Sequence, residues 1–369
     1  MKVNGSGARR IVFSGGGTAG HIHPALAVAE VLREKDPSLE IVFIGGSRTL
    51  EKTLMDFHGA RFFPLPIEGL KGRGIKSVRS LAKLPFAFAR SFRLLHRLKP
   101  SLSIGMGGYS SGPVMLLSSW LKIPTLIMEQ NSIPGFTNRM LIPRVDKAVV
   151  SFSSTLSAFK GKGVFIGNPV RKEFYDLSSK QEDGKLTLLL IGGSQGSRFL
   201  NNGMIETLPR LKRHQQDLIF FHQSGEQDLN RVREAYVSHG IQNVMIKPFF
   251  FDMSALMEKA DLVICRAGAT TIAELIAAGK PALLIPFAGA ADNHQLHNAK
   301  ELEKVKGAEI ITEEEFTPDL FADTIDRFLA NRARLTVMSQ NLSSLKRTGI
   351  AEEIADLCFA LMDKRKRRM

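Results

Sequence analysis

The chain has 369 residues, of which 44% are hydrophobic and 23% are charged, a composition typical of a globular protein. Its length exceeds the size at which a single core is usual, so two domains are expected. The N-terminus is polar, no apolar run approaches the roughly 18 residues of a membrane span, and Cys265 and Cys358 are the only cysteines. These features argue against a signal peptide, a spanning helix, a disulfide framework and a zinc site, and they favour a reducing cytoplasm.

The charge is unevenly distributed. Lys and Arg number 50 against 36 Asp and Glu, a formal net charge of +14, and no acidic residue occurs between Glu68 and Glu129. Such an excess attracts nucleic acid or an anionic membrane surface. We favour the membrane, because the sequence has no recognisable nucleic-acid-binding motif and only 8% aromatic residues.

Short apolar runs alternate with helical patterns along the chain, which predicts two doubly wound α/β domains with parallel sheets. We expect domain boundaries at 1–165 and 166–349, with a C-terminal helix at 350–364 that packs back on the first domain. The predicted strands are 11–14, 41–44, 61–64, 102–105, 125–129, 147–151, 186–191, 218–222, 244–247, 262–265, 282–285 and 308–311.

The first glycine-rich loop, GGGTAGH at 15–21, follows the first strand, and a helix is expected from Pro24. Backbone N–H groups of such a loop approach an anion, whose charge the helix dipole stabilises. The spacing also fits a dinucleotide fingerprint, but the strand at 41–44 ends without the carboxylate that would hold a ribose. At the helix start, the dipole favours His21 in its neutral, basic form.

The basic segment at 70–84 is predicted to contact a membrane, because two glycines indicate a loop that exposes apolar residues beside basic ones. The expected contacts are Lys71, Arg73, Ile75, Lys76, Val78 and Arg79. The next segment, 85–99, has apolar residues at helical spacing, so we interpret it as a helix with one face in the core and a solvated basic face. The basic run at 364–368 predicts a solvated tail that adds membrane attraction.

Two polar clusters also follow strands of the first half: GGYSSGP at 107–113 and EQN at 129–131. Taken singly, these residues are more simply turn or capping residues. However, the carboxyl ends of parallel strands lie at one edge of a sheet, which is where ligands bind. Because these two clusters are expected at the same sheet edge as the first glycine-rich loop, they predict a ligand-binding site there.

The second half repeats the pattern. GGSQGS at 192–197 follows a strand and precedes a helix expected near Asn201, and RAGATTIAE at 266–274 follows another strand. Small residues at a helix N-terminus admit a diphosphate, and Glu274 can accept both hydroxyls of a ribose. The simpler alternative is that Thr270 or Thr271 only caps the helix. The run Asn293-His294-Gln295 is expected to reach the hydroxyls of a sugar.

These motifs together resemble the MurG family of peptidoglycan glycosyltransferases, whose two Rossmann-like domains face each other across a cleft (the GT-B fold). The resemblance rests on 16–21, 107–113, 129–131, GNPVR at 167–171, 192–196, Gly268-Ala269 with Glu274, and Gln295. It implies an inverting transfer of GlcNAc from UDP-GlcNAc to undecaprenyl-diphospho-MurNAc-pentapeptide, forming a β-1,4 linkage. It also implies a peripheral protein on the cytoplasmic face of the bacterial inner membrane, with other cell-wall synthesis enzymes as further partners. No cofactor and no metal are expected.

The resemblance also implies site residues. Donor contacts would be Thr18, Ala19, Gly20, Asn131, Arg171, Ser194, Phe250, Ala269, Thr270, Thr271, Ile272, Ala273, Glu274 and Gln295. Acceptor contacts would be Gly16, Gly17, His21, Tyr109 and Ser110. His21 is the leading candidate for the general base, and Glu129 is the second. The sequence departs from the family pattern at Ala19, where many members have glycine, and at Phe250.

Two alternatives stay open. One is an enzyme similar to the UDP-GlcNAc 2-epimerases, which share the architecture and the donor but have no need of a membrane contact. The other is a nucleotide-sugar-binding protein without catalytic turnover.

Overall fold

The computed structural model describes residues 9–16, 19–46, 59–67, 83–178, 184–193 and 195–366. The chain divides into two compact units. The first contains the described residues up to Val170 together with those from Gly349 onward, and the second is Arg171–Thr348. Each unit is a parallel sheet covered by helices, which confirms the predicted class of two Rossmann-like α/β domains.

The strands are β1 (Arg10–Ser14), β2 (Glu40–Gly45), β3 (Arg61–Pro64), β4 (Leu102–Gly105), β5 (Thr125–Glu129), β6 (Lys147–Val150), β7 (Gly163–Phe165), β8 (Leu186–Ile191), β9 (Leu218–Gln223), β10 (Val244–Lys247), β11 (Leu262–Cys265), β12 (Ala282–Leu284) and β13 (Ala308–Ile310). The helices are α1 (Ala19–Lys35), α2 (Leu84–Leu98), α3 (Ser111–Trp120), α4 (Phe136–Leu141), α5 (Arg198–Leu211), α6 (Leu229–Ser238), α7 (Met253–Lys259), α8 (Ala269–Ala278), α9 (His294–Lys304), α10 (Pro318–Ala330), α11 (Ala333–Ser343) and α12 (Ile350–Lys366). Short 3₁₀ segments are Ser153–Phe159, Lys172–Phe174, Lys212–His214 and Ala291–Asn293.

The first sheet has the strand order β3-β2-β1-β4-β5-β6-β7, with all pairs parallel. Successive residues of β1 face opposite sides, so Phe13 packs in a core with α1 and α12 while Val12 packs with α2 and α3. Helix α12 belongs to this unit because Ile354 and Cys358 are buried in the same core as Phe13. The strand order reverses between β1 and β4, the position at which open α/β sheets bind ligands.

The second sheet has the order β10-β9-β8-β11-β12-β13, again all parallel. Its reversal lies between β8 and β11. Both of these central strands are fully buried, as their continuous apolar sequences predict. Cys265 at the end of β11 is part of this interior, so its interpretation as a core residue is confirmed.

The strand predictions agree with the structure to within one residue at each end, except that β7 was not predicted. Two helix starts were wrong. Helix α1 begins at Ala19 rather than near Pro24: Pro24 lies inside the helix, and Ile22 in the turn before it is buried in the core. Helix α5 begins at Arg198 rather than near Asn201, because the Ser197 side chain caps it by accepting a hydrogen bond from the Leu200 N–H (3.4 Å).

Helix α2 is amphipathic, as its apolar spacing predicts, and it buries residues that include Leu94 and Leu95. The prediction of a solvated basic outer face was incomplete. That face exposes Arg90 and Arg93, but it also exposes Phe86 (71% exposed) and Phe92 (47%). Phenyl groups on the outer side of a helix leave the core pattern intact, so the helical spacing alone did not reveal them.

Candidate active site

Two glycine-containing turns meet where the first sheet reverses its strand order. The N–H of Met106 donates to the carbonyl of Ser14 (2.7 Å) and joins the ends of β4 and β1. Gly108 has a φ of +76°, and a Cβ at this position would lie 2.5 Å from the carbonyl oxygen of Gly16. Only glycine permits this conformation and this approach of two backbones, so the two turns form one continuous surface.

Four predicted acceptor residues lie in or beside these two turns: Gly16, His21, Tyr109 and Ser110, of which Gly16 and Ser110 are buried. His21 is half-buried in the first turn of α1, and its Nε2 would lie 3.2 Å from a Cβ placed on Gly107. Gly17 and Thr18 lie outside the described residues. Ala19 and Gly20 are the first two residues of α1.

Glu129 ends β5 and is only 2% exposed. Its Oε1 accepts hydrogen bonds from the backbone N–H (3.0 Å) and the Nδ2 (3.2 Å) of Asn131. Its Oε2 accepts from the N–H of Gly135 (2.9 Å) and the Nδ2 of Asn138 (2.9 Å). Burial raises the pKa of Glu129, whereas these four donors act in the opposite direction. The carboxyl group thus anchors the turn that contains Asn131.

In the second unit, helix α8 begins directly after β11. Its N-cap is Gly268, which offers no side chain to the first-turn N–H groups, rather than Thr270 or Thr271. The backbone before this cap is held on both sides, because Gln295 Oε1 accepts from the Ala267 N–H (3.2 Å) and Asn298 Nδ2 donates to the Ala267 carbonyl (3.2 Å). An uncapped helix N-terminus of this kind binds anions.

Glu274 lies in the second turn of α8, and the helix packs against the segment Lys172–Phe174. Burial raises the pKa of Glu274 to about 7; the charge of Arg171 lowers it and that of Glu173 raises it further. Arg171 pairs with Glu173 (3.1 Å) and lies 5.0 Å above the ring of Phe174. Two predicted donor residues, Arg171 and Glu274, are therefore electrostatic neighbours.

The second glycine-rich loop ends in a turn in which the N–H of Gly196 donates to the carbonyl of Gly193 (3.0 Å). Helix α5 begins at Arg198, directly after this loop. Ser194 lies outside the described residues. The side chain of Phe250 is buried, and its N–H donates to Gln223 Oε1 (2.9 Å).

Arg266 was not assigned a role from the sequence. Its guanidinium pairs with Glu313 (2.5 Å) and donates to Ser197 Oγ (3.0 Å) and to the carbonyl of Ile285 (3.0 Å). It also lies over two phenyl rings, 5.3 Å from the centroid of Phe199 and 5.5 Å from that of Phe287. Gln223 and Asn298 were missed as well. The position of Gln223 and Arg266 at the carboxyl ends of β9 and β11 is the signal that could have found them.

Two parallel sheets of this strand order, with glycine-rich turns at both reversals and a carboxylate one turn into α8, have the architecture of the GT-B fold. Residues 11–150 match the glycosyltransferase family 28 N-terminal domain, and residues 187–354 match the glycosyltransferase family 28 C-terminal domain. The chain belongs to glycosyltransferase family 28.

Relatives and solved structures agree with this assignment. The UDP-N-acetylglucosamine–N-acetylmuramyl-(pentapeptide) pyrophosphoryl-undecaprenol N-acetylglucosamine transferase of Syntrophus aciditrophicus is 40% identical over 358 residues, which cover 96% of this chain and 99% of that protein. The crystal structure of Acinetobacter baumannii MurG aligns with a TM-score of 0.77 at 29% identity, over 95% of this chain and 99% of that one. The resemblance inferred from the motifs is thereby confirmed.

A UDP-GlcNAc 2-epimerase from Neisseria meningitidis, solved with UDP-GlcNAc bound, aligns with a TM-score of 0.67 over 95% of this chain and 100% of that one. Its sequence identity is only 11%. This similarity shows a shared fold and does not favour the epimerase alternative.

Proposed function

We propose that this protein transfers GlcNAc from UDP-GlcNAc to undecaprenyl-diphospho-MurNAc-pentapeptide. The observation that carries the proposal is the 40% identity over nearly the whole chain to a relative named for this reaction. The site geometry supports it, because the second unit offers groups suited to a nucleoside diphosphate and the first unit offers a surface with an imidazole.

The donor is assigned to the second unit. Its diphosphate would take the N–H groups at the start of α8 and the glycine-rich loop at 192–197, and Glu274 would accept the ribose hydroxyls. Gln295 Oε1 already accepts from two backbone N–H groups, those of Ala267 and Phe287, so its Nε2 is the atom assigned to the sugar. The backbone of Phe250 is assigned to the nucleobase.

The base is assigned to His21. In one in-line displacement, an acceptor hydroxyl oxygen forms a bond to the anomeric carbon while the bond from that carbon to the diphosphate breaks. The imidazole takes the hydroxyl proton, and UDP leaves with the bonding electrons. The geometry favours His21 over Glu129, since both oxygens of Glu129 are engaged by four N–H donors. The α8 N-terminus and Arg171 would stabilise the charge that grows on UDP.

The transfer is tested with labelled UDP-GlcNAc and a lipid-linked MurNAc-pentapeptide. We expect label in the lipid fraction when the acceptor is present, and no UDP-ManNAc when the acceptor is absent. Formation of UDP-ManNAc from the donor alone would instead identify an epimerase. Binding of UDP-GlcNAc without either product would identify a binding protein.

Replacement of His21 by Ala should lower kcat by about 10²–10⁴-fold, because the general base is lost. The dissociation constant of UDP-GlcNAc should change little, since the imidazole is assigned to the acceptor. Steady-state kinetics and calorimetry measure the two effects separately. If Glu129→Gln abolishes turnover in a protein of unchanged thermal stability while His21→Ala is almost normal, the two roles must be exchanged.

Donor affinity should depend on pH through Glu274. The carboxylate is the form that accepts the ribose hydroxyls, and with a pKa of about 7 it is lost as the pH falls from 8 to 6. The dissociation constant of UDP-GlcNAc should therefore rise by about tenfold over this range. Glu274→Ala should weaken binding at pH 8 by roughly 1.5–3 kcal/mol.

Two variants serve as controls for the pH dependence. Glu274→Gln should bind weakly with a flat profile. Glu173→Gln should shift the midpoint to lower pH, because removal of the neighbouring negative charge lowers the pKa of Glu274. A wild-type affinity that is constant from pH 6 to 8 would remove Glu274 from the ribose role.

We also propose that the first unit binds an anionic membrane surface. Helices α2, α3 and α4 pack side by side and expose six large apolar side chains: Phe86, Phe92, Trp120, Leu121, Phe136 and Met140. Exposed basic residues accompany them: Arg90, Arg93, Arg97, Lys99, Lys122 and Arg144. We propose that these residues lie on one side of the first unit, and we call them the basic aromatic face. From Lys83 to Val145 the sequence contains a single acidic residue, the buried Glu129.

Attraction of these basic groups to anionic lipid, combined with insertion of the apolar groups, is the chemistry of peripheral membrane binding. None of the helices within the described ranges is long and apolar enough to cross a bilayer. The segment predicted from the sequence, with Lys71, Arg73, Ile75, Lys76, Val78 and Arg79, lies outside the described residues. Its membrane contact stays a prediction.

Trp120, the only tryptophan of the chain, reports on this binding because it is 63% exposed on the basic aromatic face. Its fluorescence should shift to the blue with vesicles of phosphatidylglycerol and phosphatidylethanolamine, and much less with phosphatidylcholine alone. Phe86→Ser combined with Phe92→Ser should reduce vesicle sedimentation and activity on the long-chain acceptor. Activity on a water-soluble short-chain acceptor should remain.

The matched control is Val237→Ser with Met245→Ser, which removes two exposed apolar residues from the second unit. It should leave vesicle binding unchanged. Equal losses on both acceptors for the Phe86 and Phe92 variant would contradict membrane binding by this face.

A further inference from the structure

Gln223, the last residue of β9, joins two loops of the second unit through its side-chain amide. The residue is 2% exposed. Its Nε2 donates to the carbonyl of Gly193 (2.9 Å), and its Oε1 accepts from the N–H of Phe250 (2.9 Å). One buried amide therefore contacts both the glycine-rich loop and the loop that carries Phe250.

The two loops also meet at the residues directly after Gln223. The N–H of Gly225 donates to the carbonyl of Pro248 (3.1 Å), and a Cβ on Gly225 would lie 2.4 Å from the carbonyl oxygen of Gln195. This close approach leaves no room for a side chain at Gly225. The distance between the two loops is therefore set by the backbone at the end of β9 and by the side-chain amide of Gln223.

The preceding residue, His222, holds the end of β9 in place through hydrogen bonds to Asn201 and Tyr236 on the opposite face of the strand. Asn201 Nδ2 donates to the Ser224 carbonyl and to Asp228 (both 2.8 Å), so Asn201 Oδ1 accepts from His222 Nε2 (3.0 Å). His222 Nδ1 then accepts from the Tyr236 hydroxyl (3.3 Å). Burial lowers the pKa of His222 to about 3, which keeps this ring neutral at physiological pH.

We infer that Gln223 sets the spacing between the loop that takes the diphosphate of the donor and the loop that takes its nucleobase. It is a positioning residue for a nucleoside diphosphate, and it acts through the Gly193 carbonyl and the Phe250 N–H. The inference rests on the proposed function, which assigns these two loops to the donor. A ligand that spans both loops should depend on Gln223 more strongly than a ligand that occupies one of them.

The test compares three ligands in one variant. Gln223→Leu removes both hydrogen bonds at similar side-chain volume. We expect the inhibition constant of UDP to rise about tenfold or more, while those of uridine and of inorganic pyrophosphate change less than about threefold. The KM for UDP-GlcNAc should rise with UDP, whereas kcat should change little. Gln223→Glu keeps an acceptor for the Phe250 N–H but places a carboxylate oxygen against the Gly193 carbonyl, so it should raise the inhibition constant of UDP at least as much as Gln223→Leu does.

The matched control is Gln216→Leu, a change at an exposed glutamine of the same unit, which should leave all three constants unchanged. Two outcomes would overturn the inference: UDP affinity unchanged in Gln223→Leu, or equal weakening of all three ligands, which would indicate general damage to the site. These outcomes are independent of the transfer reaction. Wild-type protein that binds UDP without forming labelled lipid would refute the proposed transfer and leave the spacing role standing.

Discussion

The reversal of strand order in each sheet is the constraint on which the rest of the structure depends. The segments that follow β1 and β4 in the first sheet, and β8 and β11 in the second, leave toward opposite faces of their sheet. The carboxyl ends of these strands are therefore open to a ligand. Helix α1 starts after β1 and helix α8 starts after β11, and each directs its first N–H groups toward the carboxyl edge of its own sheet. Close backbone contacts, such as Gly108 against Gly16, keep side chains out of it. The polar chemistry of each unit is therefore concentrated at the ends of its central strands.

The sequence predicted the central strands well because both sheets are parallel and these strands are buried on both faces, which makes them mostly continuous apolar runs. It predicted the positions of polar residues such as Glu129 and Glu274, but not their hydrogen-bond partners or the shifts of their pKa values. The four donors that engage Glu129 come from residues two to nine positions further along the chain. Arg171, which acts on Glu274, is about 100 residues away from it in sequence. Tertiary packing determines these partners, and the spacing of apolar residues along the sequence carries no information about them.

The same limit applies to the outer faces of helices. Apolar spacing identified the buried side of α2, but it carries no information about phenyl groups that lie outside this pattern on the exposed side. Phe86 and Phe92 are exposed, whereas Leu95 is buried in the core with Val12.

Helix α12 has a consequence for the order in which the chain folds. Arg171–Thr348 is one uninterrupted stretch, so the second unit has all of its residues before synthesis reaches the last helix. The first unit does not, because Ile354 and Cys358 complete a core that begins with Ile11 and Phe13. Contacts across such a sequence separation form late, and on the ribosome they must wait for the C-terminal residues to emerge. The half of the protein that is translated first is thus the half that reaches its native core last.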